Sequence, residues 1–231
     1  MEIYSISDLH LSINSNKPMD IFGPVWENYF DDIKTDWVSK VSSSDLVLLC
    51  GDLSWAMKLE EAKEDIKLLN ELPGKKIIIK GNHDYWWQSL NLLRKSLPEN
   101  FYCLQNDALK FENVVVCGTR GWVFPNGKYD TEENHKIFNR ELIRLELSLK
   151  KAKDLQKEND VLVCMLHFPP VEANLQETAV TKLLEQYGVS YVLFGHVHGK
   201  RKFPNKFMIN NVKYFLTSCD MVDNKLIKIF P

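Results

Sequence analysis

Lys75-Lys76-Ile77-Ile78-Ile79-Lys80-Gly81-Asn82-His83-Asp84 is the stretch on which the reading of this chain turns. Ile77, Ile78 and Ile79 form a short β-branched apolar run, of the kind used by a strand buried on both faces. Gly81 breaks the run and lets the backbone turn tightly and approach a ligand. Asn82, His83 and Asp84 then stand at the carboxyl end of a buried strand, which is where open α/β sheets bind their ligands. Taken alone, these residues read equally well as a polar strand-to-helix turn with Asp84 capping the helix. Four other segments of similar construction weigh against that plainer reading.

Upstream, Glu2 to Ser7 predicts a first strand that delivers Asp8-Leu9-His10. Residues two apart in extended chain point the same way, so Asp8 and His10 converge while Leu9 packs inward. Leu11 to Gly23 reads as a polar loop lying over that turn. From Pro24 onward Trp26, Phe30, Ile33 and Trp37 recur at helical spacing and read as core. Asp45 to Cys50 is a second apolar run, closed by Gly51-Asp52-Leu53. Leu59, Ala62, Ile66 and Leu69 predict an amphipathic helix that stops near Pro73-Gly74. A helix from about Tyr85 to Leu97 follows the quoted stretch. Strand and helix thus alternate three times, which argues for a largely parallel sheet with right-handed crossovers.

Downstream, Val114 to Cys117 reads as a strand that leaves through the loop Gly118-Thr119-Arg120-Gly121-Trp122. Asp130 and Glu133 resemble a capping box, opening a long helix with Phe138, Leu142, Leu145, Leu149 and Ala152 on one stripe. Val161 to Leu166 is another strand, ending in His167-Phe168-Pro169-Pro170. A helix near Ala179 to Tyr187 stops at Gly188. Tyr191 to Phe194 then delivers Gly195-His196-Val197-His198. Lys213 to Ser218 and Lys225 to Phe230 read as closing antiparallel strands around a turn at Asp223-Asn224.

The composition narrows the class. The chain has 231 residues, 45% hydrophobic and 26% charged, which suits a single globular domain over 1–231. A net charge of −2 gives no basic footprint for nucleic acid. No apolar run approaches the roughly 18 residues of a membrane span, and Met1-Glu2-Ile3-Tyr4 carries no basic leader. The five cysteines, Cys50, Cys103, Cys117, Cys164 and Cys219, include no C-x-x-C pair and mostly sit in apolar runs. They read as small buried residues of a reducing compartment, and the expected address is the cytoplasm.

Five of the six histidines lie at strand ends, alongside carboxylates, and only His135 falls elsewhere. Buried polar groups are costly unless paired, so this many at one sheet edge imply something to bind. Imidazole nitrogens with Asp and Asn oxygens, and no sulfur, suit Mn²⁺, Fe²⁺ or Fe³⁺, Zn²⁺ or Ni²⁺. They are too many for one tetrahedral ion, whereas two divalent ions sharing a carboxylate would use them all.

The ordered set Asp8-Leu9-His10, Gly51-Asp52, Gly81-Asn82-His83-Asp84, His167 and Gly195-His196-Val197-His198 resembles the calcineurin-like metallophosphoesterases. The likeness spans residues 8 to 198, and the whole set is far more specific than any one motif. It implies a four-layered αββα sandwich, two mixed β-sheets flanked by helices, with a dinuclear metal site at one edge. By motif position Asp8, His10, Asp52 and His198 would hold one ion. Asp52 as bridge, Asn82, His167 and His196 would hold the other. His83 would act in catalysis without ligating, its ring oriented by Asp84. Phe168-Pro169-Pro170 and the tryptophans beside the motifs depart from the pattern, and they bear on substrate choice.

What the resemblance implies is hydrolysis of a small phosphodiester or phosphomonoester. Two ions about 3.5–4 Å apart would clamp the phosphoryl group and bring a bridging water toward a pKa of about 7, and the hydroxide would attack phosphorus in line. No G-x-S-x-G elbow or Walker A loop offers another nucleophile or phosphate cradle. Trp55, Trp86, Trp87 and Trp122 lie near strand ends, and at least one is expected to line the site mouth and stack on a base or sugar. Arg120 is expected to grip a substrate phosphate bidentately. Lys200-Arg201-Lys202 could draw anions in. The alternatives are a nuclease of the same superfamily, against which the net charge and the lack of a basic stripe stand, and a metal-free scaffold. Such a scaffold would be expected to lose ligands that are all retained here.

Overall fold

The structure, a computed structural model, describes residues 1–13, 17–199 and 203–230. The Lys200-Arg201-Lys202 cluster lies outside the described residues. Four strands of the amino-terminal half run parallel: β1 (Ile3–Ile6), β2 (Leu46–Leu49), β3 (Lys75–Ile78) and β4 (Phe101–Cys103). Between them run α1 (Tyr29–Lys40), α2 (Leu59–Asn70) and α3 (Leu90–Ser96). The second sheet holds β5 (Ala108–Phe111), β6 (Val114–Thr119), β7 (Val161–Leu166), β8 (Tyr191–Phe194), β9 (Lys206–Ile209) and β10 (Val212–Leu216). α4 (Glu132–Leu155) connects β6 to β7, and α5 (Ala179–Gln186) connects β7 to β8. β11 (Ile227–Phe230) returns to the first sheet, giving the orders β11-β1-β2-β3-β4 and β5-β6-β7-β8-β10-β9. Both sheets are mixed, because β11, β5 and β9 each pair antiparallel with their neighbours.

The strands read as continuous apolar runs because both of their faces are covered. Ile3, Leu46, Leu48, Ile77 and Ile79 meet Val114, Val116, Val163, Met165, Leu193 and Phe215 in one apolar layer between the sheets. The alternate residues Tyr4, Ile6, Val47, Leu49 and Ile78 pack with Trp37, Ile66 and Leu69 of α1 and α2. On the far side Val115, Cys117, Leu162, Cys164, Val192 and Phe194 pack against Leu145, Leu149 and Ala152 of α4 and against Leu184 of α5. Period-two alternation on two stacked sheets gives the four layers αββα.

Four local expectations are corrected. No helix begins at Tyr85; residues 85 and 86 form a turn, 87–89 are irregular and α3 starts at Leu90, because Trp86 and Trp87 tie their indoles to Asp84 and Gln105. The N-cap of α4 is Thr131, whose hydroxyl accepts from the Asn134 amide, so Asp130 and Glu133 are not the capping pair. β6 runs on through Gly118 and Thr119, and Arg120 is the first residue beyond it. The last two strands do not pair with each other. β10 lies parallel to β8 in one sheet, and β11 lies antiparallel to β1 in the other.

Register sets the site. Ile6, Leu49 and Ile78 lie abreast, so the turns after β1, β2 and β3 open at one edge. The second sheet joins that edge at the same height: the Ser7 amide donates to the Thr217 carbonyl at 2.8 Å, and the Cys219 amide donates to the Ser7 carbonyl at 3.0 Å.

Lys76 is a cost built into this fold. It is wholly buried in β3, its ammonium donating to the Leu72 carbonyl and lying 5.7 Å from the Phe101 ring centre. Burial pulls its pKa down to about 8. The unfolded chain, with an ordinary lysine near 10.4, therefore binds more protons between those two values, and stability rises with pH across that window. Lys76→Met should accordingly stabilise the protein at pH 7 by on the order of 3 kcal/mol. The advantage should shrink as pH rises from 8 to 10. Urea denaturation of both proteins at pH 7 and pH 10 checks it; a gap independent of pH would rule this account out.

Candidate metal centre

Each donor reaches the site on a turn that its strand aims. Asp8, His10, Asp52 and His196 all take left-handed backbone, at φ of 58°, 48°, 50° and 69°. Non-glycine residues rarely adopt it, and such strain collects at functional sites. Two motif glycines are required by space. A Cβ on Gly81 would stand 2.1 Å from an Asp52 oxygen and 2.3 Å from its nitrogen, and one on Gly195 would stand 2.1 Å from an Asp8 oxygen.

Asp8 is fully buried. Its carboxylate accepts from the His196 amide at 3.0 Å, from the Ser7 hydroxyl at 2.5 Å and from the Ser218 hydroxyl at 3.0 Å. The His198 Nε2 lies 3.3 Å from Asp8 Oδ1. Burial alone would raise the Asp8 carboxyl, but the His198 hydrogen bond and the imidazole charges hold it well below the usual range. Asp52 Oδ2 stands between two imidazoles, 3.8 Å from His10 Nε2 and 3.5 Å from His167 Nε2. Its Oδ1 accepts from the His83 amide at 2.7 Å. Burial, with Asp84 and Asp8 adding, pushes its carboxyl up to about 9. His167 Nε2 meets Asn82 Oδ1 at 2.7 Å, while its Nδ1 lies 2.9 Å from the Cys50 carbonyl.

Three observations fit cations to these residues. Donor atoms of Asp8, His10 and His198, and of Asp8, Asp52 and His167, lie within 4.8 Å of one another. Asp8 and Asp52 are both buried at one edge, and among the described residues only imidazoles, no Lys or Arg, lie in ion-pair range of them. His10 Nδ1 is buried without a hydrogen-bond partner. Asp8 belongs to both clusters and Asp52 to one of them.

The cavity above these donors measures about 350 Å³ and is lined by His10, Asp52, His83, His196 and His198 together with Met19, Phe22, Val25, Trp26 and Trp55. The Leu11 to Gly23 loop does reach over the site, through Met19 and Phe22. Trp55 stacks on His10 with ring centres 4.7 Å apart and lies 4.5 Å from the His83 ring. The half-buried His83 imidazole is held below its usual pKa, first by burial.

A calcineurin-like phosphoesterase family model matches residues 1–200. The chain belongs to that family. As a calcineurin-like phosphoesterase it is a metal-dependent phosphoesterase. It is 22% identical over 216 residues to a probable cyclic nucleotide phosphodiesterase of Coxiella burnetii, covering 86% of this chain and 76% of that protein. Two solved structures share the fold. One, from Thermus thermophilus, has a TM-score of 0.60 and 15% identity, covering 99% of this chain and 97% of that one. The other, of a protein of unknown function from Aquifex aeolicus, has a TM-score of 0.52 and 16% identity, covering 98% and 95%. No helix among the described residues is long and apolar enough to cross a membrane.

Several assignments change once the side chains of this phosphoesterase are placed. Asp84 makes no hydrogen bond to the His83 ring. Its Oδ2 accepts from the amides of Asp52 and Gly81, and its Oδ1 from those of Leu53 and Ser54 and from the Trp86 indole. It is a buried clasp for the turn that carries Asp52. Trp86 and Trp87 are buried with their indoles bonded to Asp84 and Gln105, and neither lines the cavity over the histidines. Trp55 does. Trp122 is bonded to Asn134 and packed on Phe168, outside the cavity over the histidines. Phe168 in turn lies 4.1 Å from the His196 ring centre, so Trp122 is one ring removed from the donors. Arg120 also lies outside that cavity, 4.6 Å over the Trp122 ring, and burial lowers its pKa. His135, the histidine away from the motifs, pairs with Asp130 on the surface.

Two contributors were missed in the sequence. Asp220 accepts from the Gly199 amide at 2.9 Å and lies 2.8 Å from His198 Nδ1, an outer carboxylate that fixes the His198 ring. With Asp8 on the other nitrogen, it raises His198 to about 10 against the effect of burial. Trp26, read as core, is buried but presents its ring to the cavity. Only the Ser-Cys-Asp turn after a strand pointed to Asp220, and nothing local pointed to its partner.

Proposed function

We propose that this phosphoesterase is a two-metal enzyme acting on a small phosphodiester or phosphomonoester whose organic group is apolar or aromatic. The observation that carries the reading is the shared cavity: imidazole and carboxylate donors at one end, Met19, Phe22, Val25, Trp26 and Trp55 at the other. Asp8, His10, Asp52 and His198 would hold one ion, and Asp52, Asn82, His167 and His196 the second. Divalent ions there supply Lewis acidity, neutralising phosphoryl charge and bringing the pKa of water to about 7.

The chain's own residues do the rest. The Cys50 carbonyl and the Asp220 carboxylate each take one nitrogen of a histidine, His167 and His198, and leave the other facing the site. That fixes the rings without consuming their donors. Trp55 stacks on the His10 ring and packs at a tilt against the His83 ring, holding both in place. His83, at the cavity edge, is placed to hold a proton at its ring and pass it to a departing oxygen. The aromatic walls exclude water and stack on the organic group. The distant phosphodiesterase relative supports a diester as the first substrate to try.

The reading is tested by stripping metal with chelator, restoring Mn²⁺, Fe²⁺, Zn²⁺ or Ni²⁺ singly, and assaying bis-p-nitrophenyl phosphate, p-nitrophenyl phosphate and 3′,5′-cyclic nucleotides. Close to two bound ions per chain and metal-dependent release of p-nitrophenol are expected. Protein that binds no metal, and is not stabilised by Mn²⁺, would mark a scaffold.

A further inference from the structure

A second cavity of about 210 Å³ shares none of its lining residues with the first. It nevertheless opens at the same sheet edge. Lys80 follows β3, one residue before Gly81-Asn82, and Arg120 follows β6, the neighbour of β7, which leads directly into His167. The Arg120 carbonyl accepts both the His167 and the Phe168 amides, at 3.0 and 2.9 Å, so its backbone is fixed to the metal centre.

The charge on this cavity is one-sided. Lys80, Arg120 and Arg144 line it against a single acid, Glu141. Glu141 is buried and already engaged, with Arg144 at 2.6 Å and with the Thr119 hydroxyl at 2.8 Å. Among the described residues neither Lys80 nor Arg120 has an ion-pair partner, and both are half-buried rather than free in solvent. Arg120 feels the opposite charge of Glu141 first, then the like charges of Arg144 and Arg140, and last the carboxylate of Asp52 across the edge of the site. Cations gathered on one concave wall repel one another, and an anion that binds there removes the cost. Lysine and arginine together suit the several oxygens of a phosphate group.

Resting on the two-metal reading, we propose that this cavity is a phosphate subsite. It takes the non-reacting phosphate of a substrate that carries two phosphate groups, while the other phosphate lies at the metals and the organic group lies against Trp26 and Trp55. Arg120 thus keeps the phosphate-gripping role read from the sequence, but at a neighbouring phosphate.

The first measurement uses metal-free protein in chelator, titrated calorimetrically with inorganic phosphate. Binding is expected, and Lys80→Gln or Arg120→Gln should weaken it by about tenfold or more, the worth of a charge-assisted bond. Lys80→Arg should retain it, and melting curves confirm that each variant is folded. Absence of binding, or equal binding by Lys80→Gln and Arg120→Gln, overturns the subsite. This result stands whatever the hydrolysis assays show. The second measurement compares p-nitrophenyl ethyl phosphate with p-nitrophenyl 2-phosphoethyl phosphate in Mn²⁺. The ratio of their kcat/KM values should favour the second by about tenfold and fall toward one in Lys80→Gln. A ratio of one in the wild type, with phosphate binding intact, overturns the assignment to substrate. Failure to hydrolyse either ester counts against the two-metal reading and leaves the titration to decide the subsite.

Discussion

Asp52→Asn should abolish turnover on every substrate and lower the bound metal. Asp52 Oδ2 stands between His10 and His167, the two imidazoles assigned to different ions, at 3.8 and 3.5 Å. A carboxylate there can serve both ions; the amide that replaces it carries no charge and offers one oxygen. The exchange is nearly isosteric, and an Asn oxygen can still accept from the His83 amide, so the fold should survive. Metal content by plasma emission and turnover should fall together. Residual activity above about a tenth of wild type would count heavily against the shared-carboxylate assignment, since both ions act on one phosphoryl group.

His83→Ala should give the opposite pattern, nearly unchanged metal content with turnover lower by about 10²–10⁴, the worth of a positioned acid or base. The loss should depend on the leaving group. An alkoxide needs the proton badly, whereas p-nitrophenolate leaves without it, so alkyl and nucleoside esters should suffer far more. Equal losses on both would mean that His83 stabilises phosphoryl charge instead. Loss of a metal equivalent would make it a ligand. Asp84→Asn serves as the contrast. Because Asp84 grips four backbone amides and an indole around the Asp52 turn, its amide variant would face donors with a donor. It should therefore reduce metal affinity and thermal stability, with no leaving-group dependence. A loss that follows the leaving group, with metal affinity intact, would return Asp84 to the role of orienting the His83 ring.

Most of the sheet edge was legible because its signals are local. Each donor turn follows a run of apolar residues buried on both sides, and such a run has few other places to go in a folded chain. The left-handed backbone of Asp8, His10, Asp52 and His196 was less visible, since only a neighbouring glycine hints at a tight turn. Trp86 misled because a tryptophan beside a motif looks the same in sequence whether it faces the cavity or the core. Its indole is spent on Asp84, and only the packed structure shows this.

The layer of helices on each side was implied only by the family resemblance, whereas the sequence by itself determined the parallel βαβαβα half and the inventory of imidazoles and carboxylates delivered to one edge. Those features follow from period, strand length and glycine placement within a few residues. Tertiary structure alone decided which sheet the last strands join, that Asp84 clasps the Asp52 turn, that Asp220 holds His198, and that Lys80, Arg120 and Arg144 share a wall. The bonds concerned link distant residues, as the His196 amide links to Asp8 across 188 positions. Their partners are chosen by how the two sheets meet, and no local pattern encodes that meeting.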